Sequence, residues 1–177
     1  MNPLATYKIH FIKLKNGAHD YEFELGNSFF EAFDNSIIKE ANLKAQVVLY
    51  KDQPHMFDLS FDISGDIGVM CDRCLDHFSL PIKKHFDLLV KQTEKEREDE
   101  HDISYISMNA YEINISNFLY EISHLALPIQ KTCELAKKEC DSKTAKKLDE
   151  LKAENRTQEA DPRWDKLKEL IKKDKSN

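Results

Sequence analysis

The feature that most constrains the fold is a pair of long alternating segments on either side of the tetrapeptide Cys-Asp-Arg-Cys at residues 71–74. Apolar side chains occupy most odd positions of residues 57–71 and most even positions of residues 78–90. Period-two alternation is typical of half-buried β-strands, because successive side chains point to opposite faces. Paired residues of an antiparallel ladder share a face, so odd positions must oppose even ones. The pattern therefore predicts a long antiparallel hairpin with residues 72–75 in its turn.

The segments that precede this hairpin indicate further strands and a helix. Alternating apolar residues at 7–11 and 21–25 flank Asn16-Gly17. An Asn-Gly pair favours a tight hairpin turn, because both of its residues adopt positive φ. Residues 28–41 open with a Ser-x-x-Glu capping-box pattern and continue with apolar residues at every fourth position, which predicts a helix. Residues 46–51 are expected to form another strand.

Charge divides the chain into two parts. Residues 1–130 carry 12 Lys or Arg against 21 Asp or Glu, whereas residues 131–177 carry 14 against 11. Residues 91–104 are almost entirely polar and are typical of a solvated loop. We therefore expect an α+β core domain over residues 1–130, with an antiparallel sheet, packed helices and a charged loop at residues 91–104. A charged, mostly helical extension over residues 131–177 is expected to pack on this core or to be tethered to it.

Composition argues against several classes of function. No apolar run approaches the 18 residues of a membrane span and no signal peptide opens the chain, so the expected location is the cytoplasm. With only four glycines and no nucleotide-binding fingerprint, a phosphate-cradling loop is not expected. No combination of nucleophile, base and orienting group is visible, so we expect a protein that is not an enzyme.

The four cysteines are the candidate metal ligands. Cys71 and Cys74 have the spacing of a zinc knuckle, and Cys133 and Cys140 are separated by six residues. If the later pair folds back onto the hairpin turn, the four thiols could hold one zinc ion. Two other interpretations stay open. Cys71 could be a core residue with no metal, or the first pair could be a redox dithiol, although redox C-x-x-C pairs usually open a helix.

The last segment is a candidate nucleic-acid or partner surface. Asp161-Pro162 is a good helix start, and basic residues surround an apolar stripe that follows it. Trp164 could stack on RNA bases while Arg163, Lys166 and Lys173 contact phosphates. The alternative is that Trp164 packs on a core or on a partner protein.

Three patches, in this order, resemble the YceD family, also described as large ribosomal RNA subunit accumulation proteins. The first is the hairpin turn of residues 69–75, which matches the C-x-R-C-L motif of the family. The second is the Leu-Ala-Leu-Pro segment at residues 125–128, which is followed by a cysteine. The third is the Asp-Pro-Arg motif at residues 161–163. The resemblance covers about residues 57–171, and the C-x6-C spacing of the later cysteines departs from the family pattern.

The resemblance implies a role in the accumulation of large-subunit ribosomal RNA, and hence in ribosome biogenesis, without catalysis. It places Cys71, Arg73 and Cys74 on the family motif, and it implies that Arg73 contacts RNA or a protein partner. The expected partners are the pre-ribosomal large subunit, its RNA or a basic ribosomal protein; the last suits the acidic first 130 residues. No DNA or membrane partner is expected. The alternative is a small zinc-binding adaptor unrelated to ribosomes.

Overall fold

The computed structural model of the chain describes residues 3–95, 97–140 and 142–155. Their contacts divide the chain into two compact units, of which the first ends at Lys138 and the second begins at Glu139. The strands that the structure describes all lie in the first unit, and the described part of the second unit contains helix α3 (Ser142–Asn155). None of the described helices has the length and apolar character needed to cross a membrane.

The first unit is built on a five-stranded sheet with the strand order β2-β3-β4-β5-β6. These strands are β2 (Gly17–Gly26), β3 (Glu40–Lys51), β4 (Met56–Met70), β5 (His77–Thr93) and β6 (Ile103–Ser107). The first four pair in antiparallel fashion, and β6 pairs with β5 in parallel. The expected α+β class with an antiparallel sheet is thus confirmed, with one parallel edge strand that the sequence did not indicate.

A smaller antiparallel pair joins the start of the chain to the segment that precedes α2. Strand β1 (Lys8–His10) pairs with β7 (Glu112–Asn114), and Ile9 faces Ile113 in the register. Helices α1 (Asn27–Glu31) and α2 (Ser116–Leu125) complete the unit, together with short 3-10 turns at Pro3–Thr6 and Cys133–Ala136.

The core lies on one face of the large sheet. Alternate residues of β3, β4 and β5 are buried there, as period-two burial requires: Leu43, Ala45, Val47, Leu49, Phe57, Leu59, Phe61, Ile63, Ile67, Phe78, Leu80, Ile82, Leu88 and Val90. Helix α2 buries Leu119 and Ile122, and its Phe118 ring lies 6.5 Å from that of Phe61 on the sheet. Helix α2 therefore packs on this face of the sheet.

The opposite face of the sheet is exposed and acidic. In each ladder the outward positions alternate with the buried ones, and acidic side chains predominate among them: Asp20, Glu22, Glu24, Glu40, Asp58, Asp62, Asp66 and Asp87. Basic side chains on this face are Lys44, Lys83 and Lys91. The sheet thus presents a net negative surface on this side.

Gly65 lets the central strands pair without a break. Its φ is +141°, and a Cβ built on it would lie 2.3 Å from the Asn42 carbonyl oxygen. A glycine inside a strand can mark either a β-bulge or a close approach of a neighbouring backbone. Close approach is correct, because the β4–β5 register continues unshifted from Met56 to Met70.

The expected hairpin around Asn16-Gly17 is wrong. Strand β1 pairs with β7, about a hundred residues later in the chain, while β2 pairs with β3. Ile9 and Ile113 are almost fully buried in the observed pairing. Burial of these long-range partners outweighs the local turn signal, and residues 11–16 form a loop between β1 and β2.

The expected helix over residues 28–41 is also wrong beyond its first turn. Helix α1 ends at Glu31 and β3 already begins at Glu40. Between them the Ser36 hydroxyl accepts a hydrogen bond from the Ile38 backbone N–H at 3.3 Å, a local bond that competes with helical pairing. The charged loop predicted at residues 91–104 is shorter than expected, because β5 extends to Thr93 and β6 begins at Ile103.

Candidate metal centre at the hairpin turn

The connection between β4 and β5 brings two cysteines together. The Cys71 backbone N–H donates to the Asp76 carbonyl oxygen and the Leu75 N–H donates to the Cys71 carbonyl oxygen, each at 2.9 Å. Leu75 adopts a left-handed φ of 64°, which reverses the chain direction after Cys74. Both thiols point inward as a result, and Cys71 and Cys74 are 0% and 5% exposed.

A segment that follows α2 binds this turn through Asp72. The Asp72 backbone N–H donates to the Lys131 carbonyl oxygen at 2.7 Å, and the Lys131 N–H donates back to the Asp72 carboxylate at 2.6 Å. The two Asp72 bonds join residues 59 positions apart in the sequence. They fix the segment so that the next 3-10 turn carries Cys133 to the first two thiols.

The third thiol lies beside the second. Cys133 is 3% exposed, and its Sγ lies 3.6 Å from the Cys74 Sγ. The Sγ atoms of Cys71, Cys74, Cys133 and Cys140 all lie within 4.8 Å of one another. A tetrahedral zinc ion with Zn–S bonds of about 2.3 Å would separate its sulfur ligands by about 3.8 Å. The observed cluster fits such an ion after a small contraction.

The surroundings of Cys71 favour a thiolate, the form in which cysteine binds metals. Burial raises the Cys71 pKa, whereas hydrogen bonds from the backbone N–H groups of Cys74, Arg73 and Cys133 and from the Cys74 thiol lower it to about 6. The Arg73 N–H lies 3.4 Å from the Cys71 Sγ. Such N–H groups around a sulfur ligand would also neutralise part of the charge of a metal-thiolate group.

Of the five residues predicted to bind RNA or a partner protein, the structure describes one. Arg73 is half-buried in the turn, and its Nη1 lies 3.7 Å from the Glu134 carboxylate of the 3-10 turn. The other predicted contacts, Arg163, Trp164, Lys166 and Lys173, lie outside the residues that the structure describes. Sequence reasoning missed Asp72 and Lys131 as the pair that joins the two cysteine segments. The only signal was the position of Asp72 between the two cysteines.

Together, the fold and the cluster define a class of protein: a strand-rich α+β domain with a cluster of four thiols, three of them buried, that could hold a metal ion. The sequence model of the family described as large ribosomal RNA subunit accumulation protein YceD matches residues 59–171. The chain therefore belongs to the YceD family, and this membership supports a ribosome-related role in general. No curated protein and no solved structure matches the chain. All four cysteines of the cluster fall inside the matched range.

Proposed function

We propose that the protein is a non-enzymatic assembly factor of the large ribosomal subunit, which supports accumulation of its RNA by binding pre-ribosomal RNA or a basic ribosomal protein. The observation that carries the proposal is the family match over residues 59–171. The proposal places the protein in the cytoplasm with the ribosome precursors.

The charge of the first unit supports a binding role. Ribosomal proteins that bind RNA are rich in Lys and Arg, and the exposed sheet face carries eight acidic side chains against three lysines. Opposite charges on two partners accelerate their encounter and disfavour wrong partners. An acidic face of this kind would repel RNA phosphates, so RNA contacts are expected elsewhere on the chain.

We also propose that the four cysteines hold a structural zinc ion. Four thiolates complete a tetrahedral shell and leave no open position for a substrate or a water molecule. Zinc bound in this way would secure the Cys133 segment to the hairpin turn, where Asp72 and Lys131 already contact each other. A closed zinc site agrees with a binding protein rather than with a metalloenzyme.

The assembly role is tested by sedimentation of cell extracts through sucrose gradients at low salt. We expect the protein in the fractions that contain immature large subunits, and we expect depletion of the protein to lower the amount of large-subunit RNA. The double variant Asp62→Lys, Asp66→Lys reverses charge on the exposed sheet face, and it should weaken the association if a basic protein is the partner. A matched control is Lys83→Ala on the same face. Presence of the protein only in ribosome-free fractions would contradict the role.

The second candidate function is a zinc-binding adaptor unrelated to ribosomes, and the four-thiol cluster is the observation that favours it. The two candidates differ in a simple way. An adaptor would contain stoichiometric zinc, yet its depletion would leave large-subunit RNA unchanged. An assembly factor loses both RNA accumulation and subunit association when it is depleted.

A further inference from the structure

The start of the chain is basic within an otherwise acidic first unit. Residues 1–16 contain three lysines and no Asp or Glu, although acidic residues outnumber basic ones 21 to 12 over residues 1–130. Two of these lysines, Lys13 and Lys15, are exposed in the loop that follows β1. Neither makes an ion pair with a carboxylate within the part of the chain that the structure describes. A locally positive edge therefore lies beside the β1–β7 pair.

Two exposed aromatic rings adjoin these lysines. His10 ends β1 and Tyr111 immediately precedes β7, and the two rings are parallel within 2° with centroids 6.2 Å apart. Tyr111 is 58% exposed and the neighbouring Ile12 is 62% exposed. Together with Lys13 they line an open cleft of about 490 Å³. A flat ligand in this cleft would meet both rings in the same orientation.

The backbone beneath the cleft is well supported. Ile9 and Ile113 pair between β1 and β7 and are almost fully buried. The Lys8 ammonium lies 2.5 Å from the Glu112 carboxylate, which also lies 3.5 Å from the His10 ring nitrogen. The Lys8 ammonium therefore offsets the charge of the Glu112 carboxylate. The rings and Lys13 remain available to a ligand, and little ordering is needed before they bind one.

We propose that this cleft, lined by His10, Ile12, Lys13 and Tyr111, binds an unpaired base of single-stranded RNA. The inference rests on the form of the proposed function in which the protein binds pre-ribosomal RNA. Aromatic rings beside basic side chains bind single strands because bases stack on the rings while lysines contact the phosphates. A basic protein partner suits the acidic sheet face instead, since the lysines at this edge would repel it.

The test uses the full-length protein and a short fluorescein-labelled oligoadenylate, with affinity measured by fluorescence anisotropy at low salt. Tyr111→Ala and His10→Ala should each weaken binding by roughly 5- to 150-fold, which is the range for removal of one stacked base contact. Tyr111→Phe retains the ring and should bind within about twofold of the unaltered protein, because base stacking needs the ring rather than the hydroxyl. Lys13→Ala should lower the slope of log affinity against log salt by about 0.7.

Tyr50→Ala provides the matched control, because Tyr50 is also an exposed tyrosine, at 45%, but it lies on the acidic sheet face. Its removal should leave the affinity unchanged. Melting temperatures of all variants should match that of the unaltered protein, since every substituted side chain is at the surface. Equal affinities of Tyr111→Ala and the unaltered protein, or no binding of the oligoadenylate at all, would overturn the proposal.

Co-sedimentation of the same variants separates this proposal from the assembly role. If the protein sediments with immature subunits but Tyr111→Ala changes neither sedimentation nor oligonucleotide affinity, the cleft is wrong and the assembly role stands. If the oligonucleotide binds through the cleft but nothing sediments with subunits, the cleft stands and the assembly role is wrong. If Tyr111→Ala weakens sedimentation alone, the cleft contacts a protein and the RNA proposal is overturned.

Discussion

The hairpin turn and the β1–β7 edge bring distant parts of the chain together in different ways. At the turn, buried thiols from two segments converge, and two hydrogen bonds between Asp72 and Lys131 join those segments. At the edge, backbone pairing and buried isoleucines set the position of side chains that remain exposed. A site of buried thiols gains stability from its ligand, whereas an exposed cleft on a paired backbone is formed before any ligand binds.

The largest effect is expected from the removal of one thiol at the hairpin turn. Cys74→Ser should abolish stoichiometric zinc and lower the free energy of unfolding by several kcal/mol, since structural zinc contributes on the order of 10 kcal/mol in small zinc peptides. Elemental analysis and urea unfolding provide the two measurements. The control is Leu75→Ser, because Leu75 is exposed in the same turn. Protein that is purified without zinc and melts normally after Cys74→Ser would remove the metal from the proposal.

The next effect concerns the strands that carry the turn. Gly65→Ala should cost about 3 kcal/mol or more, because the new Cβ would overlap the Asn42 carbonyl oxygen and the φ is left-handed. Gly17→Ala is the matched control, since its φ is +125° but nothing lies within 4 Å of the added carbon. It should cost about 1 kcal/mol. Equal unfolding energies for the two variants would show that the close approach in the sheet does not matter.

A smaller effect is expected from the contact that joins the two cysteine segments. Asp72→Ala removes the acceptor of the Lys131 N–H, at a cost of about 1 kcal/mol for a partly exposed bond. Zinc should then transfer faster to a chelator, while its stoichiometry stays unchanged because all four thiols remain. Asp76→Ala, in the same turn, is the control, because only its backbone carbonyl contacts Cys71. If Asp72→Ala leaves the rate of zinc transfer unchanged, the thiols alone hold the Cys133 segment on the hairpin turn.

The smallest effect is expected from His85 on the exposed sheet face, which belongs to neither the cysteine cluster nor the β1–β7 edge. Hydrogen bonds to Asp62 and then Asp87 raise the pKa of His85. Its folded-state pKa is therefore above the unfolded value, so the stabilisation is fully present below about pH 6.5 and is lost as pH rises through the folded pKa. His85→Gln should remove this pH-dependent component from urea unfolding curves, and His77→Gln, an exposed residue on the same strand, should not.

If His85→Gln and His77→Gln show the same pH dependence of unfolding, the comparison between the turn and the edge is unaffected. Strong coupling between His85→Gln and zinc content would instead show that the sheet face and the turn are not independent. The effects of His85→Gln and Cys74→Ser on the free energy of unfolding should add, because distant sites without shared partners usually contribute independently.

Local patterns predicted the elements whose partners are near in sequence. Alternation over residues 57–90 predicted strands that the structure shows as β4 and β5, because a tight turn leaves few other partners for them. The hairpin around Asn16-Gly17 failed because turn chemistry describes only the local chain, whereas Ile9 required a buried partner.

The helix expected over residues 28–41 failed for a related reason. Part of its apolar spacing serves packing all the same, since Phe29 and Phe30 are buried and the Phe33 ring lies 4.1 Å from that of Tyr120. Those contacts need only one helical turn of chain. The following residues enter β3, because pairing with β2 on one side and β4 on the other satisfies more backbone groups than a helix end would.

By itself, the sequence determined the alternating strands, the position of the first two cysteines between them and the choice of thiols as candidate ligands, because each follows from residue type and short spacing. Only the tertiary structure decided that Cys133 lies 3.6 Å from Cys74 and that His10 lies parallel to Tyr111. The reason is physical. These neighbours are brought together by burial and pairing between segments that are far apart along the chain, and a local pattern carries no record of such pairings.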